Sequence, residues 1–130
     1  MENDYKLEII LQGDYILAET SGIETPENML DVYEQIINKV IEWKCNRVLY
    51  IEGFSNQISM EEMMLVWRKI FKLVGDRDIE GRIAVFDKNK DDFSINMVSE
   101  SLAGAQGINA KVFSSINNAL AWLRAPELSR

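Results

Sequence analysis

Short apolar runs alternate with longer stretches of helical spacing along this chain, and that alternation predicts its architecture. Val48 to Ile51 is a run of four apolar residues between a polar start at Arg47 and a glycine at Gly53. A run this short is typical of a strand buried in a parallel sheet. Functional groups in open α/β sheets gather beyond the carboxyl ends of such strands. We therefore expect the central strand here and a functional loop from Gly53 to Ser59.

The first part of the chain predicts a hairpin followed by a helix. Two β-rich runs, 5–11 and 15–20, flank a turn that contains glycine, which is the pattern of a β-hairpin. Thr25 and Pro26 then begin a helix, because threonine is a preferred N-cap and proline suits the first helical position. Apolar residues recur at steps of three and four as far as about Lys44. This helix should cover one face of the sheet.

A second helix and a second buried strand follow the central strand. Ser59 and Glu62 have the spacing of a capping box, in which the serine hydroxyl and the glutamate each bond to the other's backbone N–H. Apolar residues at helical spacing continue from there to Gly75. The apolar residues in 82–87 then predict a strand parallel to the central one.

The last part of the chain predicts a helix, a strand and a further helix. Asp91 or Asp92 begins the first of these helices, which ends near Gly107. A short strand is predicted for 109–114, and Ser115 caps the terminal helix. Small residues in the helix that ends near Gly107 should let it approach its neighbour closely.

These elements give the order ββαβαβαβα and an α/β fold. At 130 residues and 47% hydrophobic content, the chain is about one domain. Strands that alternate with helices imply right-handed crossovers and a mainly parallel sheet. We expect a single-domain sandwich with a five-stranded sheet, an antiparallel edge strand and helices on both faces.

The charge of the chain limits its partners. Twenty-one acidic and fourteen basic residues give a net charge of −7, which repels phosphate backbones and anionic lipids. The best basic patch, Arg68, Lys69 and Lys72, lies near a predicted helix end, where cations complement the helix dipole. No apolar run approaches the roughly 18 residues needed to cross a bilayer, and Met1 to Asp4 lack the basic start of a signal peptide. We expect a cytoplasmic protein with no nucleic-acid partner and no stable membrane insertion.

The residue types present exclude several kinds of chemistry. The chain has no histidine, which rules out Ser-His-Asp and Cys-His mechanisms and histidine metal sites. Its single cysteine, Cys45, cannot form an internal disulfide and is interpreted as a small apolar filler. Residues 87–91 begin like a calcium loop, but Asp92 and Val98 stand where that loop needs glycine and glutamate. We therefore expect neither enzymatic activity nor a cofactor or metal ion.

Four features together resemble the SpoIIAA-like family: the order of elements, the strand 48–51 with its Phe-Ser loop, the strand 82–86 and the ending 112–123. That family is related to the STAS domains of anti-sigma-factor antagonists and anion transporters. Its fold is also similar to that of the CRAL-TRIO lipid-binding domains. The resemblance covers nearly the whole chain and includes no catalytic signature. It implies a SpoIIAA/STAS-like fold and a binding or regulatory role.

The resemblance also implies two candidate phosphorylation sites. STAS antagonists carry a phosphorylatable serine or threonine at the start of the helix after the third strand. Ser59 occupies that position and Ser55 lies four residues earlier, although the Asp-Ser-Ser-Gly pattern of those proteins is absent. A phosphate on Ser59 would face Glu61 and Glu62. A phosphorylation-controlled partner switch and a simple helix cap are therefore the alternatives for Ser59.

An apolar cluster lies in the loop and helix start behind the central strand. Its helical spacing is typical of a core face. Because methionine adapts its shape, the same residues also suit a contact surface for a protein partner, a second copy of the chain or an apolar small molecule. We expect this surface to make the protein a non-enzymatic binding or regulatory module. The residues of the set are Phe54, Ile58, Met60, Met63, Met64 and Trp67.

Overall fold

A computed structural model describes residues 4–77, 81–88 and 109–126 of the chain. In this part, the strands form one sheet in the order β1-β2-β3-β4-β5. The strands are β1 (Tyr5–Gln12), β2 (Tyr15–Gly22), β3 (Arg47–Glu52), β4 (Arg82–Asp87) and β5 (Asn109–Phe113). The helices described are α1 (Pro26–Trp43), α2 (Met60–Arg77) and α3 (Ile116–Arg124). The helix predicted to end near Gly107 lies outside the described residues.

The sheet has the predicted mixture of strand directions. β1 pairs with β2 antiparallel, and Gln12 faces Tyr15 across the hairpin turn. Gly13 lies in that turn with a φ of 66°, a left-handed conformation that glycine adopts without steric penalty. The pairs β2–β3, β3–β4 and β4–β5 are parallel. The predicted hairpin, antiparallel edge strand and five-stranded sheet are confirmed.

Helices cover both faces of the sheet, as predicted. α1 and α2 pack together on one face, over a core that contains Ile16, Val48 and Tyr50. α3 packs on the other face, where Ala119 and Leu123 meet a second core cluster. Two cores form because successive residues of a strand point to opposite faces. β3 contributes to both, which makes it the central strand that its apolar run predicts.

The helix starts follow the predicted capping. The hydroxyl of Thr25 accepts a hydrogen bond from the Asn28 N–H at 3.0 Å, and Ser115 caps α3 in the same way. Ser59 and Glu62 form the full capping box, with the Glu62 N–H bonded to the serine hydroxyl and the Ser59 N–H bonded to Glu62 Oε1, each at 3.1 Å. These side chains fix where the helices begin, because they satisfy N–H groups that a helix leaves unpaired.

None of the helices within the described ranges combines the length and the hydropathy that crossing a bilayer requires.

Candidate functional site

The loop between β3 and α2, residues 53–59, lies directly against the loop between β2 and α1. Gly22 and Phe54 form an isolated parallel bridge. Both the N–H and the hydroxyl of Ser55 donate to the Gly22 carbonyl oxygen, at 2.8 and 3.0 Å. The candidate phosphorylation site Ser55 is exposed, but its hydroxyl already forms a hydrogen bond that connects the two loops.

Glu24, in the loop between β2 and α1, forms further hydrogen bonds with the loop between β3 and α2. Asn56 bonds through its carboxamide to the N–H and the carbonyl oxygen of Glu24. The Ile58 N–H donates to Glu24 Oε1 at 3.1 Å. Glu24 is only 5% exposed, and this bond helps to keep its carboxylate in a buried position, since a buried charge needs hydrogen-bond partners. Three hydrogen bonds therefore connect the loop that follows the central strand to the residue before the Thr25 cap.

Gly53 allows the loop to begin so close to β2. A Cβ atom at this position would lie 2.3 Å from the Thr20 carbonyl oxygen. The Gly53 N–H donates to the Thr20 hydroxyl at 3.2 Å, and that hydroxyl is also 3.1 Å from the Tyr50 hydroxyl. Any larger residue at position 53 would push the two chain segments apart.

The structure divides the predicted apolar set between the core and the surface. Four of its residues are buried and belong to one core cluster: Phe54, Ile58, Met63 and Trp67. Met60 is half-buried, and Met64 is 45% exposed on the outer side of α2. Binding by this set stays a prediction. The exposed apolar surface that it offers is small, because most of its members contact the protein interior.

A cleft opens between α1, α2 and the sheet beside this loop. Its empty volume is about 480 Å³ when the part open to solvent is included, and its enclosed part has room for about one ordered water molecule. The lining residues are Glu24, Met29, Tyr33, Glu52, Gln57, Met63, Trp67, Ile83, Val85, Ala110 and Val112.

Aromatic rings stack through the wall of the cleft. The ring centroids of Tyr33 and Trp67 are 5.2 Å apart with a tilt of 50°, and Tyr33 also meets Tyr50 edge-on at 5.7 Å. Phe71 stacks on Trp67 with 5.5 Å between the ring centroids. Among the described residues, Trp67 Nε1 has no hydrogen-bond partner although the atom is buried. A buried indole N–H normally has a partner, and the ring that carries this one lines the cleft.

Two carboxylates, those of Glu24 and Glu52, line the cleft beside Tyr33. Burial raises the pKa of Tyr33 above its usual range, and the charges of Glu52 and Glu24 raise it further. The pKa of Tyr50 is raised by burial first and then by Glu52, while the hydrogen bond with Thr20 lowers it in part. Both tyrosines are therefore neutral hydrogen-bonding groups near pH 7.

Sequence reasoning missed the polar part of this site. Glu24 immediately precedes the Thr25 cap and Glu52 ends the central strand, so each has an obvious local role. The spacing of Tyr33 places it on the apolar face of the first helix and indicates no further role. The available signal was the acidic Glu52 at the carboxyl end of a buried strand, where ligand sites of α/β sheets collect.

The part of the chain that the structure describes contains no group of three His, Cys, Asp or Glu side chains placed to share a metal ion. Of the calcium-like segment, Asp87 and Lys88 are described and the remainder is not. Asp87 is buried at the end of β4.

Comparison with known proteins identifies the fold. No model of a known protein family matches the sequence, and no curated protein does so either. The structure is similar to the crystal structure of an uncharacterised protein of the DUF3478 family, with a SpoIIAA-like fold, from Shewanella loihica PV-4. The TM-score is 0.54 and the sequences are 19% identical, with 92% of this chain and 93% of the other covered. The predicted SpoIIAA-like fold is therefore confirmed, and at this identity the likeness concerns the fold alone.

Proposed function

We propose that the protein is a non-enzymatic binding module that takes a small, largely apolar molecule in the cleft beside the β3–α2 loop. The observation that carries this function is the buried Nε1 of Trp67, which has no partner among the described residues and belongs to a ring that lines the cleft. An unsatisfied buried donor costs about 1–3 kcal/mol. A ligand with an acceptor atom would recover that free energy.

The walls of the cleft suit an adaptable site. Met63 and Gln57 line it together with the aromatic rings, and both have long unbranched side chains. Methionine in particular fills irregular spaces and changes rotamer readily. Because the space now admits only about one water molecule, a larger ligand enters when these two side chains move. The loop itself need not move, since Asn56 and Glu24 hold its backbone.

The exposed part of the apolar set favours a small molecule over a protein partner or a second copy. Met64 is 45% and the adjacent Leu65 57% exposed, and Met60 is half-buried. A stable protein interface buries about 1,200–2,000 Å² in total. Three side chains on one helix supply only a small fraction of that area. The cleft is the better site because a small molecule in it would contact α1, α2 and the sheet together.

The test uses the indole N–H groups as reporters. The chain has three tryptophans, so a nitrogen-15 correlation spectrum contains three indole signals, and a Trp67→Phe variant identifies the one of interest. Titration with 2-phenylethanol should shift that signal in a saturable way and leave those of Trp43 and Trp122 in place. If no small apolar probe shifts it saturably at millimolar concentration, the proposed function is wrong.

A phosphorylation-controlled partner switch is the second candidate, because Ser55 and Ser59 are both exposed on the same loop. A phosphate on Ser55 would remove the hydroxyl donor to Gly22, which would loosen the contact between the loops. A phosphate on Ser59 would take over the cap beside the helix dipole and face Glu61 and Glu62. Mass spectrometry of the intact protein, isolated from the cells that naturally produce it, should then show the added mass of a phosphate group. If no phosphorylated form is found under any growth condition, the switch is excluded.

A further inference from the structure

We infer that the outer edge of β1 is an interface between two copies of this chain, which pair antiparallel there and join their sheets. This inference does not depend on the cleft. β1 comes first in the strand order, so within residues 4–77, 81–88 and 109–126 no strand lies on its outer side. An edge strand presents a row of unpaired N–H and C=O groups to which a further strand can bond.

Alternate residues of β1 direct their backbone polar groups to that outer side. A residue of an antiparallel ladder either exchanges hydrogen bonds with the residue opposite or directs its polar groups away, and the two kinds alternate. The Ile23 N–H donates to the Asp4 carbonyl oxygen at 3.1 Å, in the register of the hairpin. The even-numbered residues of β1 therefore bond to β2, and the N–H and C=O groups of Tyr5, Leu7 and Ile9 face outward.

β1 lacks the devices that usually keep sheet edges from pairing. Its register with β2 is continuous over all eight residues, so the strand has no bulge, and it contains no proline. Ile10 and Leu11 are each 48% exposed. β5, at the other end of the strand order, is only five residues long. Long, regular and partly apolar edges favour pairing with another strand, and β1 is such an edge.

The charges of β1 are complementary to those of a second copy of the same strand. When two copies pair antiparallel about a two-fold axis at Leu7, Lys6 of each copy faces Glu8 of the other. Both side chains are exposed, and they lie on the same face of the sheet because they are two residues apart. Opposite charges that face each other across a ladder stabilise the pairing. The symmetry supplies this ion pair twice.

The same charges disfavour the neighbouring registers. An axis at Glu8 would place the Glu8 side chains of the two copies opposite each other, and like charges in that position are destabilising. An axis at Ile9 would leave Lys6 and Glu8 without an opposite charge across the ladder. The register about Leu7 is therefore the one that electrostatics selects.

The apolar face of β1 suits this register as well. Tyr5, Leu7 and Ile9 pack against the first core cluster but are only half-buried in a single copy. In the pair, Leu7 would face Leu7 of the second copy and Tyr5 would face Ile9, so each would lose more of its exposure to water. A stable interface buries about 1,200–2,000 Å² in total, and one strand pair lies near the lower end of that range. We therefore expect a dimer that forms at micromolar concentration and dissociates on dilution.

Sedimentation velocity of the full chain tests the association. Over a concentration series at low salt, the mass of the wild-type protein should rise from that of one chain, 15.0 kDa, towards twice that value. Added salt should weaken the dimer, because it screens exposed ion pairs. A wild-type protein that stays monomeric up to millimolar concentration would overturn the inference and leave the edge to a strand of another protein.

Charge reversal tests the surface and the register. Lys6→Glu and Glu8→Lys should each weaken dimerisation at least about tenfold, because two attractive pairs become two repulsive ones. An equimolar mixture of the two variants should dimerise again, since each then meets the opposite charge. Lys111→Glu makes the same change on exposed β5 and should have no effect. A dimer that Lys6→Glu and Glu8→Lys leave unchanged would show that the copies meet elsewhere, and the inference would be wrong.

Hydrogen exchange of backbone amides locates the pairing without any substitution. The Leu7 N–H should exchange rapidly in dilute protein and slowly in concentrated protein, because a second copy would accept its hydrogen bond. The Glu8 N–H, which faces β2 in the hairpin, should exchange slowly at both concentrations. Rapid exchange of Leu7 in a sample that sediments as a dimer would contradict pairing at β1.

Discussion

Asn56 presents both ends of its carboxamide to the backbone of Glu24. Its Oδ1 accepts from the Glu24 N–H at 2.7 Å, and its Nδ2 donates to the Glu24 carbonyl oxygen at 2.9 Å. One side chain thereby satisfies both polar groups of a residue in the neighbouring loop, in the manner of a paired strand. The carboxylate of Glu24 is placed at the cleft by a backbone that Asn56 holds.

Removing this pair of hydrogen bonds should lower the free energy of unfolding. Asn56→Ala loses two hydrogen bonds worth about 1 kcal/mol each, so we expect a loss of about 2 kcal/mol in urea denaturation. Asn56→Asp keeps the acceptor and loses the donor to the Glu24 carbonyl oxygen, so it should also destabilise. Asn118→Ala, on the exposed side of α3, is the control and should stay within about 0.5 kcal/mol of wild type. Equal stability of Asn56→Ala and Asn118→Ala would show that the contact contributes nothing.

Features encoded by neighbouring residues were predicted well from the sequence. The cap at Thr25 and the box formed by Ser59 and Glu62 are signals that span four residues each, and the structure contains both of them. The apolar run at the centre of β3 reflects the burial of this strand on both faces of the sheet. Four consecutive apolar residues are enough to predict such a strand. The parallel direction of β2 to β5 then follows from the alternation of strands and helices, because strands joined by a helical crossover lie parallel in one sheet.

The cleft could not be predicted in the same way. Glu24 and Asn56 are 32 positions apart, and no local pattern links them. Met63 and Trp67 were correctly placed together by their spacing of four, but periodicity specifies a face of a helix and not what that face meets. Whether such a residue is a core filler or a cleft wall depends on how far α1, α2 and the sheet diverge. That distance is set by tertiary packing.

The capping box should show measurable coupling. Ser59→Ala removes the acceptor for the Glu62 N–H, and Glu62→Ala removes the acceptor for the Ser59 N–H. Each substitution should cost about 1 kcal/mol, and the double variant should lose less than the sum because the two bonds support one helix start. Ser59→Asp should retain most of the stability, since aspartate also caps. A Ser59→Asp variant as unstable as Ser59→Ala would contradict the capping role.

Two glycines should respond in opposite directions to the same substitution. Gly53→Ala places a Cβ where it would lie 2.3 Å from the Thr20 carbonyl oxygen, so the backbone must shift and we expect a loss of about 2 kcal/mol or more. Gly75→Ala lies in α2 with nothing within 4 Å of the new atom. It should stabilise the protein by up to about 1 kcal/mol, because alanine favours helix. Thermal unfolding of both variants tests the pair, and a stable Gly53→Ala would contradict the close approach of the loop to β2.

The buried tyrosines should make stability fall in alkali. Burial, then the charges of Glu52 and Glu24, raise the pKa of Tyr33, so the folded state keeps its proton while the unfolded state releases it above pH about 10. This contribution is fully present well below pH 10 and declines above it, at a rate that approaches about 1.4 kcal/mol per pH unit for each such tyrosine. Because the unfolded tyrosine is only half ionised at pH 10, Tyr33→Phe should reduce the slope of unfolding free energy between pH 10 and 11 by about 1 kcal/mol per pH unit. An unchanged slope would show that Tyr33 ionises in the folded protein.

Trp67→Phe should cost less stability than a buried tryptophan normally does. Losing part of a packed ring destabilises a core by several kcal/mol in general. Here the substitution also removes an indole N–H that is buried without a partner among the described residues, and relief of an unsatisfied donor returns about 1–3 kcal/mol. The net loss should therefore be small in urea denaturation, while affinity for a probe that offers a neutral oxygen falls. Trp122→Phe, on the opposite face against Phe113, should leave that affinity unchanged. A large loss of stability in Trp67→Phe with unaltered affinity would show that the N–H is satisfied by a group of the protein and that the cleft does not use it.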